Sequence, residues 1–272
     1  AAAERALALF ETLQDRQGAG LAAAMAAILL TRAGDTARAE GFAKAARAIL
    51  QTSPPNLNKA TTLSNLTAAR AIAARDATDF AAARRDFAAA LEIHETFNDR
   101  AGILYVCSHL AEIQAKLCDY AGAIENARRN VAEGRARRDW HILAHALVNL
   151  TSYCLLVGDD AAAAHTAREA VPLVAELDDQ QEGACFTGSL ALLAARAGAL
   201  ETAAKLAGHT NQHYLSAQEP MQAVEQRVWD ALMALFTEAE TTGKLPPETT
   251  DHHLAAGATL SLQDALKLPL PV

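Results

Sequence analysis

The chain has 272 residues, 51% hydrophobic and 21% charged, with a formal net charge of −8. That composition excludes intrinsic disorder, and the negative balance argues against nucleic acid or an anionic membrane surface as a partner of this segment. Alanine supplies about a quarter of the residues and aromatics only 5%, which favours closely approaching helices over a large aromatic core.

The longest apolar run, Leu21 to Leu30, is half of the ~20 residues that a membrane helix needs. No basic stretch followed by an apolar segment and a cleavage site opens the chain. Cys107, Cys118, Cys154 and Cys185 form no close pair, so zinc and redox motifs are unsupported. Reduced thiols and a cytoplasmic location are the expectation.

The chain opens in what reads as the second helix of a hairpin, Ala2 to Gln14, as expected of an excised C-terminal piece of a longer protein. A small or acidic turn before an Ala-rich helix start then recurs, at Gly34-Asp35-Thr36-Ala37, Thr78-Asp79-Phe80-Ala81, Cys118-Asp119-Tyr120-Ala121, Gly158-Asp159-Asp160-Ala161 and Gly198-Ala199-Leu200-Glu201. The steps from Asp35 to Asp79, Asp119, Asp159 and Ala199 are 44, 40, 40 and 40 residues. A step of 40 also relates Ala83, Ala123, Ala163 and Ala203, then Leu110, Leu150 and Leu190, then Asp99, Asp139 and Asp179. Independent positions sharing one period indicate a repeat array. The four extra residues of the first step fall after Leu66. They approximate one helical turn, so the sequence predicts a first helix one turn longer near Ala74 to Thr78.

Each unit reads as two helices. Leu110, Ala111, Ile113, Gln114 and Leu117 follow three- and four-residue steps, as do Leu147, Leu150, Cys154 and Val157. Ala123, Ile124, Ala127 and Val131 stripe the second helix, and Ala163, Ala167, Ala170, Val171 and Val174 repeat that stripe. The turn Asp is expected to accept hydrogen bonds from the free N–H groups that open the second helix. Pro172 falls inside a second helix and predicts a kink. Leu91, Ile93, Phe97 and Ile103 read as core or inter-unit contacts. Residues 1–199 thus form the array, with turns near 35, 79, 119, 159 and 199. Residues 200–272 hold the last repeat helix and a capping module. A polar insert, Thr241 to Thr250 with Pro246-Pro247, precedes a capping box of Ser261 and Asp264 that opens a short last helix.

Leu110-Ala111, Ala123 and Asp119-Tyr120, with Asp79-Phe80, Ala83, Phe87 and Ala90, resemble the tetratricopeptide repeat. That family's unit is about 34 residues; here it is longer, the closing Pro is absent and Asn130 replaces the second Ala in one unit. The fold class implied is all-α: a tetratricopeptide-like helical-hairpin solenoid with C-terminal capping helices. The loops Phe97-Asn98-Asp99-Arg100-Ala101-Gly102 and Arg138-Asp139-Trp140 are similar to the C-terminal region of bacterial STAND-type signalling ATPases. So is the tail, Leu206-Ala207-Gly208 with Gly257 to Ala265, although His252-His253-Leu254-Ala255-Ala256 stands where that family carries aromatics. These regulators include relatives of the maltose activator and of LuxR-type activators. The resemblance implies a sensor arm that binds a protein or peptide partner, or a small-molecule inducer, with the fused ATPase and DNA-binding domains outside this chain. The alternative is a generic tetratricopeptide scaffold in a kinase- or cyclase-linked signalling protein.

The first helices of a solenoid line one concave face. On this register that face carries Thr61, Asn65, Tyr105, His109, Glu112, His145, Asn149, Ser152, Gln181, Cys185, Ser189 and Arg196, the candidate binding residues. No catalytic set is expected. Gly243-Lys244 lacks the upstream Gly and following Ser/Thr of a phosphate-binding loop, and no nucleophile–base pair or paired carboxylates stand at a defined site. His141 with His145, and His209 with His213, have a spacing that can bind metal on one helix face. No third ligand is dictated, so neither metal nor cofactor is expected. Cys154 and Cys185 read as packing residues, and Arg135, Arg137 and Arg138 as a solvated helix end.

Overall fold

The structure, a computed structural model, describes residues 2–74, 77–218 and 220–270, and among them there is no strand. The helices are α1 (Ala2–Thr12), α2 (Arg16–Arg32), α3 (Thr36–Thr52), α4 (Leu57–Ala73), α5 (Ala77–Thr96), α6 (Arg100–Lys116) and α7 (Tyr120–Arg137). After them come α8 (Trp140–Leu156), α9 (Asp160–Leu177), α10 (Gln180–Arg196), α11 (Leu200–Ala217), α12 (Ala223–Thr241), α13 (Pro247–Gly257) and α14 (Leu262–Ala265). None is long and apolar enough to cross a membrane among the described residues.

One joint links most of these helices. Asn98, Cys118, Arg138, Gly158, Asp178 and Gly198, spaced 20 residues apart, all have positive φ. In five of these joints the next residue donates its N–H back into the ending helix: Asp99 to His94 at 2.9 Å, Asp119 to Gln114 at 2.8 Å, Asp139 to Gly134 at 3.0 Å, Asp159 to Cys154 at 2.9 Å and Ala199 to Ala194 at 2.9 Å. That is a Schellman closure. The same Asp then opens the following helix, its carboxylate accepting from Gly102 N–H at 3.2 Å, Gly122 at 3.2 Å, Ile142 at 3.2 Å or Ala162 at 3.0 Å. Asp15 and Asp35 do likewise earlier in the chain. The two 40-residue Asp series are one 20-residue series, because the link within a hairpin and the link between hairpins are the same structure. Ala199 offers no side-chain cap.

Asp79 is the exception. It lies inside the first turn of α5, which begins at Ala77, rather than at the position before the helix. The extra residues do not lengthen the first helix: α4 has 17 residues, as do α2, α6, α8 and α10. It stops because Ala74 turns to extended backbone, φ −61° and ψ 137°. The second helix is longer instead, 20 residues in α5 against 18 in α7, α9 and α11. Arg75 and Asp76, within the expected longer turn, lie outside the described residues. α9 continues through Pro172.

The chain forms two compact units, Ala1–Gly122 and Ala123–Val272, dividing inside α7. In the first unit α2 packs on α1, α3 and α4, and α5 on α4 and α6. Its core joins Ala23, Ala27, Leu66, Ala83, Phe87, Val106 and Leu110. In the second, α8 packs on α9 and α10, and α10 on α11. The small-residue stripes face inward as the period requires: Ala83, Ala123, Ala163 and Ala203 have no exposed surface. Phe97, read as a core or inter-unit contact, is 47% exposed. It follows the last residue of α5, where the chain turns towards α6. Arg135 is not a merely solvated end, since both Nε and Nη2 donate to the Glu169 carboxylate of α9.

The end of the chain departs from a simple stack. α12 lies on α10 and α8, while α13 packs on α11. A β-carbon on Gly208 would stand 2.0 Å from the Leu254 carbonyl oxygen, and one on Gly257 1.9 Å from that of Lys205, so α11 and α13 cross backbone to backbone. α14 follows, capped by Ser261, whose hydroxyl accepts from Asp264 N–H at 3.1 Å. The Asp264 carboxylate accepts from the Ser261 hydroxyl at 2.7 Å, in place of the backbone N–H that a full capping box uses. Gln263 Nε2 donates to the Ala175 carbonyl at the end of α9.

Candidate functional site

In the first unit the first helices α2, α4 and α6 carry large apolar side chains to the surface. Met25 and Leu29 stand one turn apart on α2, 43% and 53% exposed, and Ile72 on α4 is 42% exposed. Ile72 shares the α4 face of Thr61, Asn65 and Ala68 by helical spacing. Asn65 and Ala68 are buried at its centre, and Thr61 donates its hydroxyl to the Leu57 carbonyl at 2.9 Å. On α6, Tyr105 meets His109 edge-on with ring centroids 4.6 Å apart, and His109 stacks on Phe87 at 5.2 Å. Glu112 Oε2 lies 4.0 Å from His109 Nδ1. Crowding pushes the Tyr105 phenol above its usual range; the Arg32 charge opposes that and the Glu112 carboxylate adds to it. Arg32 sits one turn beyond Leu29, so side chains of α2 and α6 act on each other across α4. The spacing argument named Thr61, Asn65, Tyr105, His109 and Glu112. It missed Met25, Leu29, Arg32 and Ile72, because an apolar run such as Leu21 to Leu30 does not show which members stay outside.

In the second unit the chain itself covers part of the equivalent face, while His145 and Gln181 stay exposed. Met221, before α12, and Glu225, Val228 and Trp229 on it lie over Ser152, Cys185 and Ser189, leaving a cavity of 10 Å³, room for about one water molecule. Ser152 and Ser189 are buried and share a hydrogen bond of 2.8 Å that ties α8 to α10. Tyr214 lines the same cavity with its hydroxyl buried. Burial pushes both the Cys185 thiol and the Tyr214 phenol up, and the Glu225 carboxylate adds to each. Of the other named residues, His145 stands 3.0 Å from Asn149 and 3.3 Å from Glu182. Gln181 pairs with His213 at 3.0 Å. Arg196 donates to the Leu155 carbonyl at 2.9 Å and to Asp160 at 2.6 Å, an anchor between hairpins. Ser152 and Ser189 are therefore engaged inside the fold with Cys185 beside them, while Arg196 ties two hairpins together at the surface. The spacing that places a residue on the first-helix face cannot show that a later helix lies on that face.

Three residues that the sequence left unconnected stand in series. Ser64 Oγ is 3.3 Å from His94 Nε2, and His94 Nδ1 is 2.8 Å from Asp99 Oδ2. That is the contact order of a Ser-His-Asp triad. Ser64 and His94 are each 1% exposed, however, and Asp99 is occupied capping α6. A substrate carbonyl has no path to the hydroxyl, so the series fastens α4 and α5 to the start of α6. Among the described residues no three His, Cys, Asp or Glu side chains gather as a metal site. His209 is buried with Nδ1 3.1 Å from the Thr187 hydroxyl. Comparison with protein-family models and with curated proteins finds no match to this chain.

Proposed function

We propose that the chain is a non-catalytic helical-repeat interaction module that takes an amphipathic helix of a protein partner on the first-helix face of its N-terminal unit. The observation that carries this reading is the contrast between equivalent faces. Tyr105 and His109 correspond at the 40-residue step to His145 and Asn149, then to Cys185 and Ser189. In the second unit α12 lies across those helices, whereas Met25, Leu29, Ile72 and Tyr105 stay exposed in the first. Apolar and aromatic anchors beside a cation are the composition of a recognition surface. The resemblance to STAND-type regulators makes the fused ATPase and DNA-reading domains the expected context and a transcriptional signal the expected output. Helical peptides selected for binding to the chain test the reading. Leu29→Glu and Tyr105→Ala are expected to weaken them at least about tenfold, while Leu215→Glu, on exposed α11 surface, leaves them unchanged. Equal loss with all three variants, or with none, overturns it.

A further inference from the structure

The first unit holds a second concavity, on a different side of its helices and independent of the partner reading. α3 packs along α2 and touches α4 only lightly. The gap is a groove of two joined chambers, 290 Å³ and 180 Å³, that share Arg47, Leu66 and Arg70. Small apolar side chains floor the larger chamber, among them Ala39, Ala43, Leu66 and Ala69, and Leu50 and Leu63 extend that floor into the smaller. Arg47 and Arg70 stand where the chambers meet.

Among the described residues each of these guanidiniums is held by one carboxylate oxygen. Arg47 Nη2 pairs with Glu40 Oε1, and Arg70 Nη1 with Asp86 Oδ2. A guanidinium has five N–H donors in a planar fork, so a single contact leaves most of its edge for another anion. The Glu40 side chain is 71% exposed, and such surface pairs hold weakly. An incoming carboxylate can take two parallel bonds from one arginine, a stronger arrangement than the single contact it displaces. No aromatic side chain lines either chamber, so a nucleotide base has nothing to stack on. The size lies at the lower end of small-molecule sites.

We infer that this groove binds a small amphipathic carboxylate, its head between Arg47 and Arg70 and its aliphatic tail along the Ala/Leu floor. The site chemistry calls for a free linear acid of medium length rather than a bilayer lipid, whose second chain the chambers do not accommodate.

Calorimetric titration of the full chain with decanoate, kept below its micelle concentration, tests this. The expected result is saturable binding of one decanoate, with 1-decanol at least about tenfold weaker because it lacks the charge. Arg47→Gln and Arg70→Gln each weaken decanoate about tenfold or more, and Ala43→Leu, which fills the floor, abolishes it while circular dichroism shows unchanged helix. Asp86→Asn releases Arg70 and tightens decanoate several-fold, roughly the reverse of what lost packing produces. Absence of saturation, equal affinity for decanol, an Arg70→Gln variant that binds as the parent does, or binding only to phosphatidylglycerol vesicles each overturns the inference. So does an Asp86→Asn variant that loses affinity like the arginine variants.

Discussion

Ala123 and Ala163 have no exposed surface, so a leucine at either position finds no space to enter. Overpacking of this kind costs roughly 1–3 kcal/mol. Ala123→Leu and Ala163→Leu should lower the urea midpoint accordingly, and unchanged midpoints would show that the stripes are not packing positions. His209 makes a pH-dependent contribution. Burial, with the His213 charge adding, lowers its pKa from 6.5. The folded chain therefore favours the neutral ring, and the unfolded chain binds a proton at a higher pH than the folded one. Stability from this residue is complete above about pH 6.5 and is lost as the pH falls from there through the lowered folded value. Urea unfolding near pH 7.5 and near pH 5.5 should show the native chain losing more stability than His209→Gln, roughly as this linkage requires.

Among the elements, α13 is fixed by backbone contact with α11. Alanine in place of glycine ordinarily favours a helix by about 1 kcal/mol. At Gly208 the added carbon would stand 2.0 Å from a carbonyl oxygen on another helix, and the clash outweighs that gain. Gly208→Ala should destabilise the chain and make residues after Thr241 the first released by limited proteolysis. Gly41 on α3 has nothing within 4 Å of the same added carbon, so Gly41→Ala should stabilise instead. Both changes replace hydrogen by methyl in a helix, and opposite signs in thermal melts isolate the crossing. The seat of α12 was not legible, because an amphipathic stripe says that a helix buries one side and not which helices it buries it against. Gly208 and Gly257 were quoted only as part of a resemblance, although two glycines on separate helices signal that backbones meet. The Ser64–His94–Asp99 series escaped for a related reason, since 30 residues separate its serine from its histidine and no local spacing joins them.

Over the whole chain the sequence disclosed the hairpins and their inward alanines, because burial and capping impose residue types at fixed steps. It split the joints into two series, because only the aspartate is constant there while the residue before it changes among Asn98, Cys118, Arg138, Gly158 and Asp178. The backbone angle repeats where the side chain does not. Of the twelve candidate binding residues Asn65, Ser152 and Ser189 are buried, and the other nine keep some exposed surface. Ser152 and Ser189 lie under α12, a helix far along the chain that settled on the face their spacing had marked as open.

The left-handed joints leave the molecule with untapped thermostability. Glycine takes that conformation freely at 34, 158 and 198, while Asn98, Cys118, Arg138, Asp178 and Gln218 hold it with a β-carbon, most of them at a penalty of roughly 1 kcal/mol. Glycine grafted at Cys118 and Arg138 trades that penalty against a looser unfolded chain, a smaller loss of about 0.4–1 kcal/mol. At Cys118 the exchange also removes the one cysteine that is exposed, and with it the most accessible thiol for a disulfide between copies.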